Sequence, residues 1–149
     1  MIHLTTKDFR PMPWANGKGT TLELYKTPNL RLSRAQVVED GPFSLFPGIQ
    51  RNLTVLTGPG FDLVGDASFQ ARPLTPLAFA GDLRLSAVNV TAPSEDFNVM
   101  SPTPARVRIT QGPAKGALLI LQAAPGLALY DLILTETEII LPVPVIEVS

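Results

Sequence analysis

The sequence predicts a protein built from β-strands, and three observations support this fold class. Short segments of alternating apolar and polar residues follow one another along the whole chain, and no segment keeps the period of an amphipathic helix. Turn signals separate these segments at nearly regular intervals. The 15 prolines are spread through the 149 residues and leave little room for helices of ordinary length.

Roughly a dozen short strands are expected. Residues 9–14 carry two prolines and are expected to be extended or looped, and a turn follows at Asn16-Gly17. Pro142 and Pro144 confine the C-terminal segment to an edge or covering strand. The other predicted strands are residues 2–4, 20–25, 30–38, the segment that ends at Gly58, and then 61–64, 68–71, 77–79, 83–90, 97–100, 107–110, 117–122 and 127–134.

Composition indicates one compact domain over residues 1–149. Apolar residues make up 45% of the chain and charged residues 17%, as expected of a folded protein. The net charge of -1 offers no electrostatic footprint for nucleic acid or an anionic membrane. The N-terminus lacks the apolar core of a signal peptide, and the longest apolar run, 117–121, is too short to span a bilayer. We therefore expect a cytoplasmic location.

Metal, cofactor and thiol chemistry are not expected. The chain has no cysteine, and His3 is its single histidine. An ordinary zinc or iron site needs several such ligands, so we predict no metal. A Ser-His-Asp triad would require His3 itself, and no G-x-S-x-G motif is present. We predict no cofactor and assign no catalytic residue.

Arg51 interrupts an apolar strand face. In the segment before Gly58, Arg51, Leu53 and Val55 share one side, because side chains in a strand alternate. Arginine is rarely buried without a partner. Either Arg51 lies at the solvated mouth of a barrel, or it holds a carboxylate or ligand inside.

The stretch PWANGKGTTLE, residues 13–23, contains the richest set of polar groups. Its loop either presents the backbone N–H groups around Lys18 to an anion or is a hairpin turn with an exposed lysine. Trp14, the only tryptophan, is either a core or lid residue or an aromatic wall for a ligand. Glu23 is solvated if its strand face points outward, and it is a candidate ligand-binding residue or base if that face lines a barrel.

A second polar group occupies residues 94–100. Asn98 and Met100 share one strand face, opposite Phe97 and Val99. Asp96 is expected to orient a loop through local hydrogen bonds.

Four motifs, PMPWANGKGTTLE, DGPFSLFPGIQRNLTVLTGPG, PLAFAGD and DFNVM, occur in the order and at about the spacing of the HutD/Ves family. Over roughly its first two thirds the chain resembles a member. The resemblance implies a cupin-like double-stranded β-helix, or jelly-roll barrel, in agreement with the strand pattern. It also implies a cytoplasmic, usually bacterial protein that regulates or binds a metabolite. Some members are tied to histidine utilisation, and formylglutamate is a proposed ligand.

Because strand faces in a cupin barrel point into a pocket, the resemblance implies a set of ligand-binding residues. A carboxylate would lie against Arg51, and asparagine amides would read an amide or formyl group. The expected set is Trp14, Asn16, Thr21, Glu23, Arg51, Asn98 and Met100.

Two departures from the family motifs affect places where an acidic ligand could be held. Ala15 replaces a lysine, and Lys18 interrupts three consecutive glycines. After Met100, residues 101–104 replace the usual basic residues.

Three classes of function stay open. The favoured one is a regulatory protein that binds a small acidic metabolite. The second is a metal-free cupin enzyme of isomerase or epimerase type with Glu23 as base, and the third is a non-catalytic interaction scaffold. No nucleic-acid or membrane partner is expected, and a homodimer stays open.

Overall fold

The computed structural model describes residues 1–17 and 19–149, which form an all-β protein. Within these residues the only helical segment is one 3-10 turn, Thr6–Asp8, and no helix is long and apolar enough to cross a membrane. The strands are β1 (Ile2–Leu4), β2 (Arg10–Pro13), β3 (Thr20–Thr27), β4 (Leu30–Val37), β5 (Gly41–Pro42), β6 (Gln50–Thr57), β7 (Phe61–Gly65), β8 (Ser68–Ala71), β9 (Leu77–Ala80), β10 (Leu85–Val88), β11 (Ser94–Ser101), β12 (Val107–Thr110), β13 (Ala114–Ile120), β14 (Leu132–Ile139) and β15 (Val145–Val148).

The described residues group into two compact units. The smaller unit consists of Met1–Phe9 and Ala105–Ser149, and the larger unit is Arg10–Pro104. The smaller unit is one antiparallel five-stranded sheet with the order β1-β14-β13-β15-β12. Its core includes Leu118, Ile120 and Ile133, all at most 2% exposed.

Two strand predictions for the smaller unit were wrong. The C-terminal segment is not an edge or covering strand, because β15 pairs with both β13 and β12. Its prolines precede the strand and therefore remove no hydrogen bond from it. The strand predicted at 127–134 begins only at Leu132, since Tyr130 has a φ of 67° and Asp131 accepts a hydrogen bond from the backbone N–H of Ala128.

The larger unit contains a six-stranded sheet, β2-β3-β4-β11-β6-β9, and a four-stranded sheet, β5-β10-β7-β8. The two sheets pack face to face, because Leu53 and Val55 of the first belong to one core cluster with Phe61, Leu63 and Ala87 of the second. This arrangement confirms the predicted all-β, cupin-like fold. The proline-containing strand β2 lies at the edge of its sheet, where a missing N–H is tolerated.

The face of the six-stranded sheet that carries Leu53 and Val55 is called the inner face below. Directly paired residues of antiparallel strands point to the same side of a sheet. Asn98 on β11 pairs with Leu53 and with Ser33, so its side chain lies on the inner face. Met100 pairs with Arg51 and Arg31 and places both arginines there as well.

Candidate functional site

A cavity of about 660 Å³ opens on the inner face of the larger unit. Its walls come from β3, β4, β6 and β11, from the loop between β2 and β3, and from the segment 36–46 that leads through β5. Ala87 on β10 contributes from the four-stranded sheet. A cavity of this size is in the range of small-molecule sites.

Arg51 is the buried cation of this cavity. Its side chain projects from β6 and the residue is 8% exposed. Three phenylalanine rings surround the guanidinium carbon, with centroids at 5.4 Å for Phe43, 5.1 Å for Phe46 and 5.1 Å for Phe79. Burial lowers the pKa of Arg51 to about 10, so the group stays protonated at neutral pH. The rings stabilise a charge that has been removed from water.

A hydrogen-bonded chain connects Arg51 to a carboxyl group. Nη2 of Arg51 donates to Oδ1 of Asn98 at 3.1 Å, and Nδ2 of Asn98 donates to Oδ1 of Asp96 at 2.7 Å. The amide oxygen faces the donor on Arg51 and the amide nitrogen faces the acceptor on Asp96. The two contacts together therefore fix the orientation of the Asn98 side chain. We call this chain the Arg51–Asn98–Asp96 relay.

Asp96 lies at the far end of the relay and is 2% exposed. In register it faces Ala35 on β4 and Val55 on β6, neither of which offers a donor. Burial raises the pKa of Asp96 to about 7, and the hydrogen bond from Asn98 and the charge of Arg51 only partly oppose this. Sequence reasoning expected Asp96 to orient a loop through local hydrogen bonds. Asp96 does accept one local hydrogen bond, from Asn98, but it lies within β11 and lines the cavity.

The charge of Arg51 is not neutralised by direct contact. Among the described residues no carboxylate lies within 4.0 Å of its guanidinium, and its Nε is buried without a hydrogen-bond acceptor. An unsatisfied buried donor costs about 1–3 kcal/mol.

Trp14 covers one side of the cavity from the loop between β2 and β3. Its Nε1 donates to Oγ1 of Thr21 at 2.9 Å, and its backbone N–H donates to the carbonyl of Gly19. The ring lies against the Cα of Gly19, where a Cβ would stand 2.7 Å from Cζ3 of the ring. This contact explains why glycine occupies position 19. Lys18, singled out as a cationic loop residue, lies outside the described residues.

The structure brings six of the seven expected site residues to one cavity. Glu23 is the exception, although it lies on the inner face opposite Ser33. Its Oε1 is 3.9 Å from Nε of Arg31, and its Oε2 is 4.0 Å from Nη1 of Arg10. Glu23 is therefore not part of the cavity wall, and its role in ligand binding stays a prediction. The residues that do line it are Trp14, Asn16, Thr21, Arg51, Asn98 and Met100.

Other parts of the site were missed by sequence reasoning. Arg31 and Asp96 line the cavity but were not expected in it. For Asp96 the signal was present, because it precedes Asn98 and Met100 by steps of two and so shares their strand face. No comparable signal linked Phe79 to Arg51, because β9 comes next to β6 only in the folded sheet.

Among residues 1–17 and 19–149, no three His, Asp or Glu side chains gather closely enough to hold a metal ion. In the smaller unit, His3 and Asp131 form one hydrogen-bonded pair with Nε2 and Oδ2 2.7 Å apart. This contact joins β1 to the turn before β14 and accounts for the single histidine as a structural residue.

Comparison with known proteins gives consistent matches. A model of the HutD family matches residues 6–133. The chain is 37% identical over 117 residues to the uncharacterized 21.2 kDa protein in the hutC 3' region of Pseudomonas putida. This alignment covers 71% of this chain and 61% of that relative. It is 36% identical over 106 residues to protein Ves of Escherichia fergusonii. That alignment covers 63% of this chain and 56% of the relative.

The chain thus spans about three fifths of the length of these relatives. A solved structure covers more of the chain. HutD from Pseudomonas fluorescens SBW25, in its formate condition, matches with a TM-score of 0.76 and 26% identity, over 99% of this chain and 97% of that one.

Proposed function

Since this chain belongs to the HutD family, we propose that it is a cytoplasmic regulatory protein that binds a small acidic metabolite, with formylglutamate as the first candidate. The relative in the hutC 3' region supports a connection with histidine utilisation. One observation carries the proposal: Arg51 holds a buried positive charge at a cavity, and no carboxylate among the described residues contacts it.

The chemistry of the cavity favours a carboxylate. A guanidinium presents a planar set of donors that matches a carboxylate, and such charge-assisted hydrogen bonds are stronger than neutral ones. Asn98 uses only one hydrogen of its amide nitrogen in the relay, which leaves the other for a ligand. Trp14 and Met100 supply apolar wall around these polar groups.

Glu23 was the candidate base of the alternative isomerase or epimerase. It lies apart from the cavity wall, next to Arg10 and Arg31. No observation therefore favours that enzyme.

Calorimetry with formylglutamate, glutamate and urocanate tests the proposal. We expect Arg51→Ala to weaken binding by roughly 2–5 kcal/mol, the usual cost of removing one partner of a buried charge pair. Arg51→Lys keeps the charge but loses the bidentate geometry, so it should recover only part of the affinity. Fluorescence of Trp14, the only tryptophan, gives a second measure of binding.

Arg84→Ala is the matched control, because Arg84 is an exposed arginine of the same unit outside the cavity. It should bind like the unchanged protein. If no acidic metabolite binds the unchanged protein, or if Arg51→Ala binds as tightly, the proposed site is wrong and the interaction-scaffold alternative gains support.

A further inference from the structure

The Arg51–Asn98–Asp96 relay ends at a carboxyl group that faces the cavity without a cation beside it. Oδ1 of Asp96 accepts the hydrogen bond from Asn98. Its Oδ2 makes no hydrogen bond to any described residue, and no described Arg, Lys or His lies within 4.0 Å of the carboxyl. One oxygen of Asp96 is therefore available to whatever enters the cavity.

The elements packed around Asp96 do not supply a compensating charge at contact distance. Across from it, β4 and β6 present Ala35 and Val55. Arg51 on β6 reaches it only through Asn98, while Arg31 on β4 is 3.9 Å from Glu23.

Three carboxylates belong to the elements around Asp96; burial raises the pKa of Asp96 most, and the charge of Glu95 adds to this shift. Glu95 precedes Asp96 on β11 but points to the other face, where it accepts a hydrogen bond from Nε of Arg34 at 2.6 Å. Glu39 and Asp40 line the cavity from the segment after β4. The surroundings therefore favour the neutral carboxylic acid.

We propose that Asp96 is a second ligand-binding residue and acts as a carboxylic acid: its O–H donates to an oxygen of the same ligand whose carboxylate Arg51 holds, so the cavity takes up an anion together with a proton. The inference rests on the proposed function and adds the chemical class of the ligand. The groups of the relay that are not already used in its own hydrogen bonds are then all donors. They are N–H groups of Arg51, the second amide hydrogen of Asn98 and the O–H of Asp96. The matching ligand presents acceptors only, a carboxylate and a second carbonyl or carboxylate oxygen.

Proton coupling gives this inference its own test. An ionised Asp96 offers no donor and repels the anion, so affinity should fall once Asp96 loses its proton. The probe is N-formylglutamate, whose two carboxyl groups stay ionised from about pH 6 to 9. We expect its Kd to be nearly constant from pH 6 to 7 and to rise about tenfold per pH unit from 7 to 9. Calorimetry in two buffers of different ionisation enthalpy should show uptake of about one proton at pH 8.

Asp96→Asn is the informative variant, because its amide keeps a donor and an acceptor but cannot ionise. It should bind the probe with a Kd independent of pH and without proton uptake. Glu39→Gln, which neutralises a carboxylate at the rim of the cavity, should keep the pH profile of the unchanged protein.

The outcomes separate this inference from the proposed function. If the unchanged protein binds the probe with equal affinity from pH 6 to 9 and takes up no proton, the role of Asp96 is wrong while the carboxylate site at Arg51 stands. If the Kd of Glu39→Gln does not depend on pH, the proton taken up on binding belongs to Glu39 and not to Asp96. That result would also overturn the inference. Failure of every carboxylate to bind at pH 6 removes the proposed function and this inference with it. Because proton uptake is measured on the unchanged protein, the test does not depend on the folding of a variant.

Discussion

Arg51 is a buried cation stabilised by aromatic rings and one amide instead of a carboxylate. The sequence predicted its unusual position, because it continues the face of Leu53 and Val55, but left open whether that position was a barrel mouth or the interior. The structure places it inside. Phe43 and Phe46 lie in a loop and Phe79 on β9, so their meeting around one guanidinium depends on the tertiary fold. Alternation within a strand predicts the side on which a residue lies but not what it meets there.

Asp96 makes stability depend on pH in a predictable direction. Burial raises its pKa from 3.8 to about 7, so between these values the folded chain holds a proton that the unfolded chain has lost. The free energy of unfolding should therefore decrease as pH rises from about 4 to 7 and level off above 7. Asp96→Asn has no carboxyl group to titrate and therefore lacks this pH dependence. Its free energy of unfolding, relative to that of the unchanged protein, should rise by an amount on the order of 4 kcal/mol across that pH range.

Urea denaturation at several pH values measures this difference. Asp96→Ala is a useful companion, because it also lacks the carboxyl group but leaves Asn98 without its acceptor. It should be less stable than Asp96→Asn at every pH and follow the same profile. Parallel curves for Asp96→Asn and the unchanged protein would show that Asp96 is ionised in the folded state.

At the level of elements, the sequence predicted strands well where alternation and turn signals agree. Residues 68–71 and 107–110 were predicted with the bounds that β8 and β12 have. It failed where polar residues are buried within a strand. β11 was predicted to begin at residue 97 but begins at Ser94, whose hydroxyl accepts a hydrogen bond from the backbone N–H of Gly60. Such buried polar groups resemble loop residues in the sequence, because their acceptors and donors come from distant segments.

The same limit applies to the candidate site. The sequence singled out six residues that line one cavity, five of them within two local motifs. It also placed Glu23 in the cavity, because Glu23 lies on the same strand face as Thr21 and belongs to the same family motif. The extent of a cavity along one sheet face depends on the loops that cover it, and these were not predictable from strand alternation.

The loop between β2 and β3 yields a prediction of its own. Gly19→Ala would place a Cβ within 2.7 to 3.0 Å of three ring atoms of Trp14. The ring must then move and weaken its hydrogen bond to Thr21, at a cost of about 1 kcal/mol. We expect a changed Trp14 emission spectrum and weaker binding of an acidic metabolite. The measurements are fluorescence and calorimetry.

Gly17→Asn serves as the control in the same loop. Gly17 has a φ of 72° and no atom within 4 Å of an added Cβ, and asparagine tolerates this backbone region. Its emission spectrum should match that of the unchanged protein. An unaltered spectrum in Gly19→Ala would mean that Trp14 does not rest on Gly19 in solution.

For the whole molecule, the chain order of the two units is informative. The smaller unit is formed by the two ends of the chain, and its strand β1 pairs with β14. The larger unit is the continuous segment between them and contains the entire cavity. The sequence predicted a single domain over residues 1–149, and this stays a prediction.

We predict that the whole chain unfolds in one cooperative transition. A unit of this size is marginal by itself, so we expect its folding to be coupled to that of the rest of the chain. Leu118 is fully buried in the smaller unit, and Leu118→Ala should cost about 2–5 kcal/mol. In one cooperative unit this lowers the midpoint of thermal unfolding by about 5 to 15 °C. Trp14 fluorescence, which reports on the larger unit, and far-ultraviolet circular dichroism should shift together. A lower midpoint by circular dichroism with an unchanged Trp14 transition would instead show two units that unfold independently.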